Sequence, residues 1–183
     1  MSLTTWFIRR SFRSGDAKRD AGLETPQDIE RWNNICYGTS TTSQVMDVYR
    51  PKDAGRPLPV IVSVHGGGWT YGSKESYQYY CMDLAQRGFA VINFTYRLAP
   101  EHKFPASLED TCLVFGWLMN RTDCGWFDLS RVAAVGDSAG AHLLTIYCAA
   151  AHNAEYEARL GIHLPRGQDG KPFCPSAIGL NCG

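Results

Sequence analysis

Arg131-Val132-Ala133-Ala134-Val135-Gly136-Asp137-Ser138-Ala139-Gly140 contains, within ten residues, a short apolar run followed by a G-x-S-x-G turn. The segment after it, Ala139 to Asn153, is apolar nearly all round and is expected to form a buried helix. A bare G-x-S-x-G is a weak signal, because small-residue turns lead into many helices. Here the strand before it and the helix after it supply the context the motif needs. A serine on so sharp a turn holds a strained backbone, and a side chain at either flanking glycine would collide with the neighbouring chain. The helix N-terminus beneath Ser138 also favours negative charge developing there. Ser138 is therefore the candidate nucleophile, with Gly136, Asp137 and Gly140 as its motif support.

Working outward, the same pattern repeats. Val60-Ile61-Val62-Ser63-Val64 and Phe89-Ala90-Val91-Ile92-Asn93-Phe94 are further runs of the doubly buried kind, and Ala177-Ile178-Gly179-Leu180 is a fourth. Helical patterns lie between them: Tyr77 to Arg87, then Leu108, Cys112, Phe115 and Met119 at spacings of four, three and four. Gln44 to Arg50 alternates loosely, as a strand near a sheet edge does. Pro51 to Pro59 reads as a turn region. Buried strands alternating with helices predict an α/β fold of parallel units with right-handed crossovers. Residues 1–33 are polar, with a helix start expected at Thr25-Pro26-Gln27-Asp28.

His65-Gly66-Gly67-Gly68-Trp69 follows directly on the strand at Val60–Val64. Three consecutive glycines cost backbone entropy, and glycine runs also occur in ordinary flexible turns. A loop that must bring backbone N–H groups against a developing oxyanion gives them a purpose. Both motifs sit at strand ends expected to share one edge of a sheet, where open α/β sheets bind ligands.

Composition sets outer bounds. The chain has 183 residues, 44% hydrophobic and 20% charged, which fits one globular domain. Its 18 basic and 18 acidic residues cancel, so no basic field exists to hold nucleic acid or an anionic membrane. Cys36, Cys81, Cys112, Cys124, Cys148, Cys174 and Cys182 form no C-x-x-C pair and no zinc spacing, so neither metal nor cofactor is expected. They read as reduced thiols. The N-terminus places its one apolar patch, Trp6-Phe7-Ile8, before Arg9-Arg10, the reverse of a signal peptide and too short for a membrane span. A cytoplasmic location follows as the expectation.

Three segments carry a family resemblance. His65-Gly66-Gly67-Gly68, Tyr96-Arg97-Leu98-Ala99-Pro100-Glu101-His102-Lys103-Phe104-Pro105-Ala106 and Gly136-Asp137-Ser138-Ala139-Gly140 resemble, in order and spacing, the hormone-sensitive-lipase-like branch of the α/β-hydrolases. The Trp69 variant of the loop is similar to bacterial feruloyl- and acetyl-xylan-esterase-like members. The resemblance runs from about Gln44 to the C-terminus. It implies a serine esterase acting on a small-molecule ester, with Gly67, Gly68 and Ala139 N–H groups as the oxyanion hole. It also implies that residues 34–183 are the N-terminal part of a catalytic domain, and that residues 1–33 form part of a cap. Tyr96–Ala106 would brace the loop beside the site. Thr95 departs from the family, which usually has aspartate there, so a local hydrogen bond is expected to differ.

In this fold the triad runs Ser, then Asp or Glu, then His along the chain. The 183-residue chain ends 45 residues after Ser138. Each further β-α-β step takes roughly 30 residues. The acid and base are therefore expected beyond residue 183, making this a C-terminally truncated chain. His152 is 14 positions along the helix, about 21 Å away at 1.5 Å per residue. His142 is one turn on but rooted in the helix, and His65 is better placed to anchor the glycine loop. His102 belongs to the bracing segment and His163 to a polar loop. A carboxylic-ester hydrolase using an acyl-enzyme is the leading expectation. An amide or formamide hydrolase and a non-catalytic remnant or binding module remain alternatives, and the oligomeric state is left open.

Overall fold

Val60 to Val64 occupies the middle of the sheet because its branched side chains find apolar cover on both faces. In this computed structural model, which describes residues 3–121 and 125–182, the chain order is α1 (Leu3–Arg19), β1 (Ile29–Cys36), β2 (Val45–Pro51), β3 (Leu58–Val64), a 3₁₀ turn (Lys74–Tyr77), α2 (Gln78–Gln86), β4 (Ala90–Phe94), α3 (Ala106–Met119), β5 (Phe127–Asp137), α4 (Ala139–Ala151), α5 (Ala154–Leu160) and β6 (Ala177–Asn181). Cys124, read above as a reduced thiol, lies outside the described residues, as do Met1 and Ser2 of the N-terminal stretch.

The six strands order as β1-β2-β4-β3-β5-β6. β1 and β2 run antiparallel to their neighbours, while β4, β3, β5 and β6 are mutually parallel. Alternate residues of β3 divide between two cores, as a period of two requires. Val60, Val62 and Val64 face Leu108, Phe115, Leu143, Leu144 and Tyr147 on the α3/α4 side. Ile61 faces Cys81, Met82 and Ala85 of α2. In the register Val64↔Phe94 and Val64↔Gly136, the C-terminal ends of three parallel strands lie at one level. Both sequence motifs emerge there.

Two expectations need correction. No helix starts at Thr25-Pro26-Gln27-Asp28. Gln27 and Asp28 form a turn and the chain enters β1 at Ile29, where Ile29 pairs with Pro51 and Lys52 N–H donates to the Asp28 carbonyl at 2.9 Å. The Asp28 carboxylate accepts from Gln86 Nε2 at 3.0 Å instead of capping a helix. Long-range pairing has overridden a local cap signal. β2 does lie near an edge, with only β1 outside it, and Val45 to Arg50 are buried. Finally, β6 pairs with β5 as expected, yet all five of its residues are exposed. The N-terminal segment also holds α1, and β1 carries the sheet back to Ile29, inside the segment set apart as residues 1–33.

Buried charges are paired. Asp110, fully buried in α3, accepts from Gln44 Nε2 (2.7 Å), Arg97 N–H (2.7 Å) and Arg97 Nε (2.9 Å). Lys74 Nζ meets Asp47 at 3.0 Å with both side chains buried. Such groups persist because every charge has partners, and removing one partner would strand another. The six described cysteines are free. No helix among the described residues is long and apolar enough to cross a membrane.

Among the described residues β6 has a partner on one side only, and Ile178 and Leu180 lie exposed on one of its faces. Exposed apolar edge strands template association. The chain is therefore expected to self-associate with rising concentration, and Leu180→Lys should shift its size-exclusion profile toward monomer. The urea midpoint should move by no more than about 0.5 kcal/mol in stability terms, since the side chain is exposed. A profile indifferent to Leu180→Lys would place association elsewhere.

Candidate active site

Ser138 sits between β5 and α4 with φ 48° and ψ −109°, a conformation costly for any residue with a side chain. Two bonds hold it: Ser138 N–H donates to the Asn181 carbonyl at 2.7 Å, and His142 N–H donates to the Ser138 carbonyl at 3.0 Å. The flanking glycines are required by close approach. A Cβ on Gly140 would overlap the Val64 carbonyl oxygen at the end of β3, and one on Gly136 would lie 2.6 Å from Ala141 N. Ser138 is exposed, while Gly136, Ala139 and Gly140 are buried. The hydroxyl thus stands at the surface on an immobile base, over the N-terminus of α4.

The glycine loop lies opposite. Gly66 is buried, and a Cβ there would meet Asp137 Oδ2 at 2.8 Å, so the two motifs touch. Gly67 has φ +120°, a region closed to other residues, and its would-be Cβ points into the Tyr71 carbonyl. Thr70 and Tyr71 N–H groups donate back to the Gly67 carbonyl at 3.2 and 3.0 Å, curling the loop on itself. The N–H groups of Gly67, Gly68 and Ala139 donate to no acceptor among the described residues. Glycines 66 to 68, Ser138, Tyr71 and Tyr77 share one cavity of about 680 Å3. Phe12, Asp16 and Arg19 of α1 complete its wall.

Behind the loop, His65 is fully buried. Its Nδ1 lies 2.7 Å from the Gly66 carbonyl, and its ring stacks on Tyr96 at 4.0 Å and 6°. The Tyr96 hydroxyl donates to the His65 carbonyl at 2.9 Å. Burial holds the imidazole low, at about 4, so it is neutral at neutral pH. Tyr77 donates a short hydrogen bond to Asp137 Oδ2, and burial followed by that bond raises the Tyr77 hydroxyl. Tyr71 donates to Asp16 at 2.6 Å and is pushed up to about 12, first by burial and then by that carboxylate. Thr95 accepts the Lys74 N–H on Oγ1 at 3.0 Å, tying the start of the 3₁₀ turn to the end of β4. The structure thus brings together every residue singled out for the site: Ser138, Gly67, Gly68, Ala139, His65, Gly66, Gly136, Asp137 and Gly140.

No described histidine bonds the Ser138 hydroxyl. The His142 ring is exposed and sits edge-on to Trp69 at 5.2 Å. His152 Nε2 lies 3.8 Å from Cys174 Sγ, and His102 and His163 are exposed away from the sheet. No group of three or more His, Cys, Asp or Glu side chains able to hold a metal occurs among the described residues. Sequence reasoning missed Phe12, Asp16, Arg19, Tyr71 and Tyr77. Trp69-Thr70-Tyr71 adjoins the glycine run and Tyr77 opens a helical pattern, so the two tyrosines carried a faint signal. α1 carried none.

Sheet order, serine turn and glycine loop together define the α/β-hydrolase class. Residues 46–172 match the BD-FAE family, and the chain belongs to it. Esterase LipC of Mycobacterium tuberculosis is 33% identical over 137 residues, covering 74% of this chain and 33% of LipC. Carboxylic ester hydrolase LipN of the same organism is 38% identical over 112 residues, 60% of this chain and 30% of LipN. Among solved structures, esterase B from Lactobacillus rhamnosis superposes with a TM-score of 0.86 at 27% identity, over 97% of this chain and 55% of that one. The hyperthermophilic esterase from Pyrobaculum calidifontis gives 0.68 at 31% identity, over 84% and 50%. The chain therefore spans about a third of the length of the curated relatives it matches.

Neutral, buried His65 makes acid sensitivity a property of the site. The unfolded ring protonates near its usual 6.5, so stability present above that pH is lost as pH falls toward about 4, on the order of 3 kcal/mol in all. Urea midpoints at pH 7 and pH 4.5 should show a larger acid loss in the wild type than in His65→Asn, which cannot titrate. Equal losses would mean that His65 is not the acid-sensitive group.

Proposed function

We propose that this chain carries the nucleophile and oxyanion-binding half of a carboxylic-ester hydrolase. The observation that carries the reading is the strained, exposed Ser138 sharing one cavity with Gly67 and Gly68, while the N–H groups of Gly67, Gly68 and Ala139 have no acceptor among the described residues. In the proposed reaction Ser138 Oγ attacks the ester carbonyl carbon. Its proton passes to a base, and the carbonyl oxygen gains negative charge between the three N–H groups. Collapse expels the alcohol and leaves the acyl group on Ser138, and water then attacks to release the acid. The N–H groups act chiefly on the transition state, where each such donor typically contributes about 3 kcal/mol.

The base and its orienting carboxylate are assigned to residues outside these 183, because none of the described histidines meets the serine. α1 serves as part of the cap, since Phe12, Asp16 and Arg19 wall the cavity that holds Ser138. The small-molecule ester class follows from the relatives, an esterase and a carboxylic ester hydrolase. Cavity size agrees, at about 680 Å3.

In a chain continued to the length of its relatives, a fluorophosphonate probe should bond Ser138, located by peptide mass spectrometry, and Ser138→Ala should abolish the adduct without lowering the melting temperature. An adduct on another serine would sink the assignment. Residues 1–183 alone should turn over p-nitrophenyl acetate at least about 10³-fold more slowly than a chain continued to the length of its relatives, because triad members act as a unit.

Gly67→Val should lower kcat on the same ester about tenfold or more with little change in KM, because its Cβ would drive into the Tyr71 carbonyl and swing the donors away. Wild-type turnover in that variant would show that the loop does not bind the oxyanion.

A further inference from the structure

Arg9 leaves the first half of α1 and reaches the outer side of the glycine loop. Its Nε donates to the Thr70 carbonyl at 2.7 Å. Nη2 donates to the Ala99 carbonyl at 3.0 Å and to Glu101 Oε2 at 2.6 Å, while Nη1 donates to Glu101 Oε1 at 3.1 Å. One guanidinium therefore joins three pieces of chain: α1, the residues after Gly68, and the Leu98–Glu101 segment. One backbone bond already knits the last two together: Ala99 N–H donates to the Trp69 carbonyl at 2.8 Å. Within the loop, Thr70 N–H donates to the Gly67 carbonyl at 3.2 Å. Arg9 adds to that link without lining the cavity that holds Ser138.

From this geometry we infer that Arg9 is a positioning residue, fixing the loop whose Gly67 and Gly68 line the same cavity as Ser138. The inference rests on the reading of those N–H groups as oxyanion donors. The chemistry needs arginine. A planar fork meets a carboxylate with two parallel bonds and still has Nε and a second Nη2 hydrogen for carbonyls, which an ammonium on a flexible stem does not match. The ion pair alone would contribute little, because Glu101 is 44% exposed. The specific part is the pair of carbonyl bonds, made by a side chain only 24% exposed. Glu101 is held below the usual carboxylate range, first by its bond from Arg9.

α1 does not need Arg9 to stay where it is. Phe12 stacks on Tyr71 at 5.4 Å and 23°, Asp16 accepts from the Tyr71 hydroxyl, and Arg19 Nη2 donates to the Ser76 carbonyl at 2.6 Å. Removing Arg9 should loosen the loop while leaving the helix docked, and this separates positioning from mere attachment. Arg10, whose guanidinium lies over the Trp6 ring, is the control.

Amide hydrogen exchange on the 183-residue chain is the first test. Arg9→Ala should speed exchange in peptides spanning residues 66–72 and 97–102 by about tenfold or more, the scale of a lost charge-assisted bond. Peptides from α2 and β5 should match the wild type. Arg10→Ala should leave all of these unchanged, and Arg9→Lys should restore them only in part. Exchange that rises throughout the chain, or nowhere, would overturn the inference. If Arg9→Ala does not fold, Glu101→Gln, which keeps the carbonyl bonds, should give a smaller rise confined to the same two peptides, and no rise would count against it. The second test is fluorophosphonate kinetics at Ser138 in a chain continued to the length of its relatives. Arg9→Ala should lower the limiting rate of bonding about tenfold at an unchanged half-saturating probe concentration. A change in half-saturation alone would make Arg9 a wall of the pocket and overturn the positioning role. If wild-type protein takes no probe at Ser138, the esterase reading fails and the exchange experiment decides the Arg9 inference by itself.

Discussion

Gly140 lies against the last carbonyls of β3, so close that even a methyl group would overlap the Val64 oxygen. That contact sets the distance between α4 and the sheet, and with it the place of everything at the site. β3 and β5 are parallel and in register at Val64↔Gly136, so they end together. The chain leaving β3 becomes the glycine loop, and the chain leaving β5 turns at Ser138. Because the first turn of α4 rests directly on β3, Ser138 shares one cavity with Gly66, Gly67 and Gly68. A larger residue at 140 would lift α4 and separate nucleophile from donors while leaving the strands intact. The strain at Ser138 is sustained by this packing, since a positive φ in a non-glycine residue persists only where its surroundings over-determine it.

The second requirement is that loops this irregular find partners for their polar groups. A glycine run has no side chains with which to hold itself, so its neighbours supply the bonds. His65 stacks on Tyr96, which in turn binds the His65 carbonyl, and Tyr77 bridges from the 3₁₀ turn to Asp137 beside the serine. Behind these, Arg97 is locked to buried Asp110, and Lys74 to buried Asp47. Asp110 of α3 holds the loop at Arg97, and Asp47 of β2 and Asp137 of β5 hold the 3₁₀ turn at Lys74 and Tyr77, which places the rigidity of the sheet at the disposal of the turns. Thr95 fits this scheme. Its hydroxyl accepts the Lys74 N–H, while the ammonium of the same lysine is met by Asp47.

Where chemistry and local geometry coincide, the sequence was legible. Gly136 to Gly140 and His65 to Gly68 could be placed on strand ends because β-branched runs and glycines each have one dominant structural use. The parallel core was legible for the same reason. What escaped depends on contacts between distant residues. Thr25-Pro26 has the chemistry of a helix cap, but Ile29 gains more by pairing with Pro51 of β2, and no local rule weighs one against the other. β1, the edge strand outside β2, is itself hard to see: Trp32-Asn33-Asn34 interrupts its pattern, and the register shifts between Trp32 and Ile35. α1 was invisible because its residues are mostly exposed, so it carries no core stripe.

That invisibility bears on specificity. The residues that bring the donors and the nucleophile together belong to the sheet and its turns, and their places follow from packing that tolerates little change. The residues that wall the cavity, Phe12, Asp16 and Arg19, come from a mostly exposed helix held by a few side-chain contacts to Tyr71, Ser76, Ala99 and Glu101. Phe12, Asp16 and Arg19 can change without disturbing the turn at Ser138, since no core depends on them. The fold therefore separates two demands. The place of Ser138 is set by backbone contacts that a single methyl group would break, and the wall of its cavity is set by an element that a few side-chain bonds, those of Arg9 among them, fasten in place.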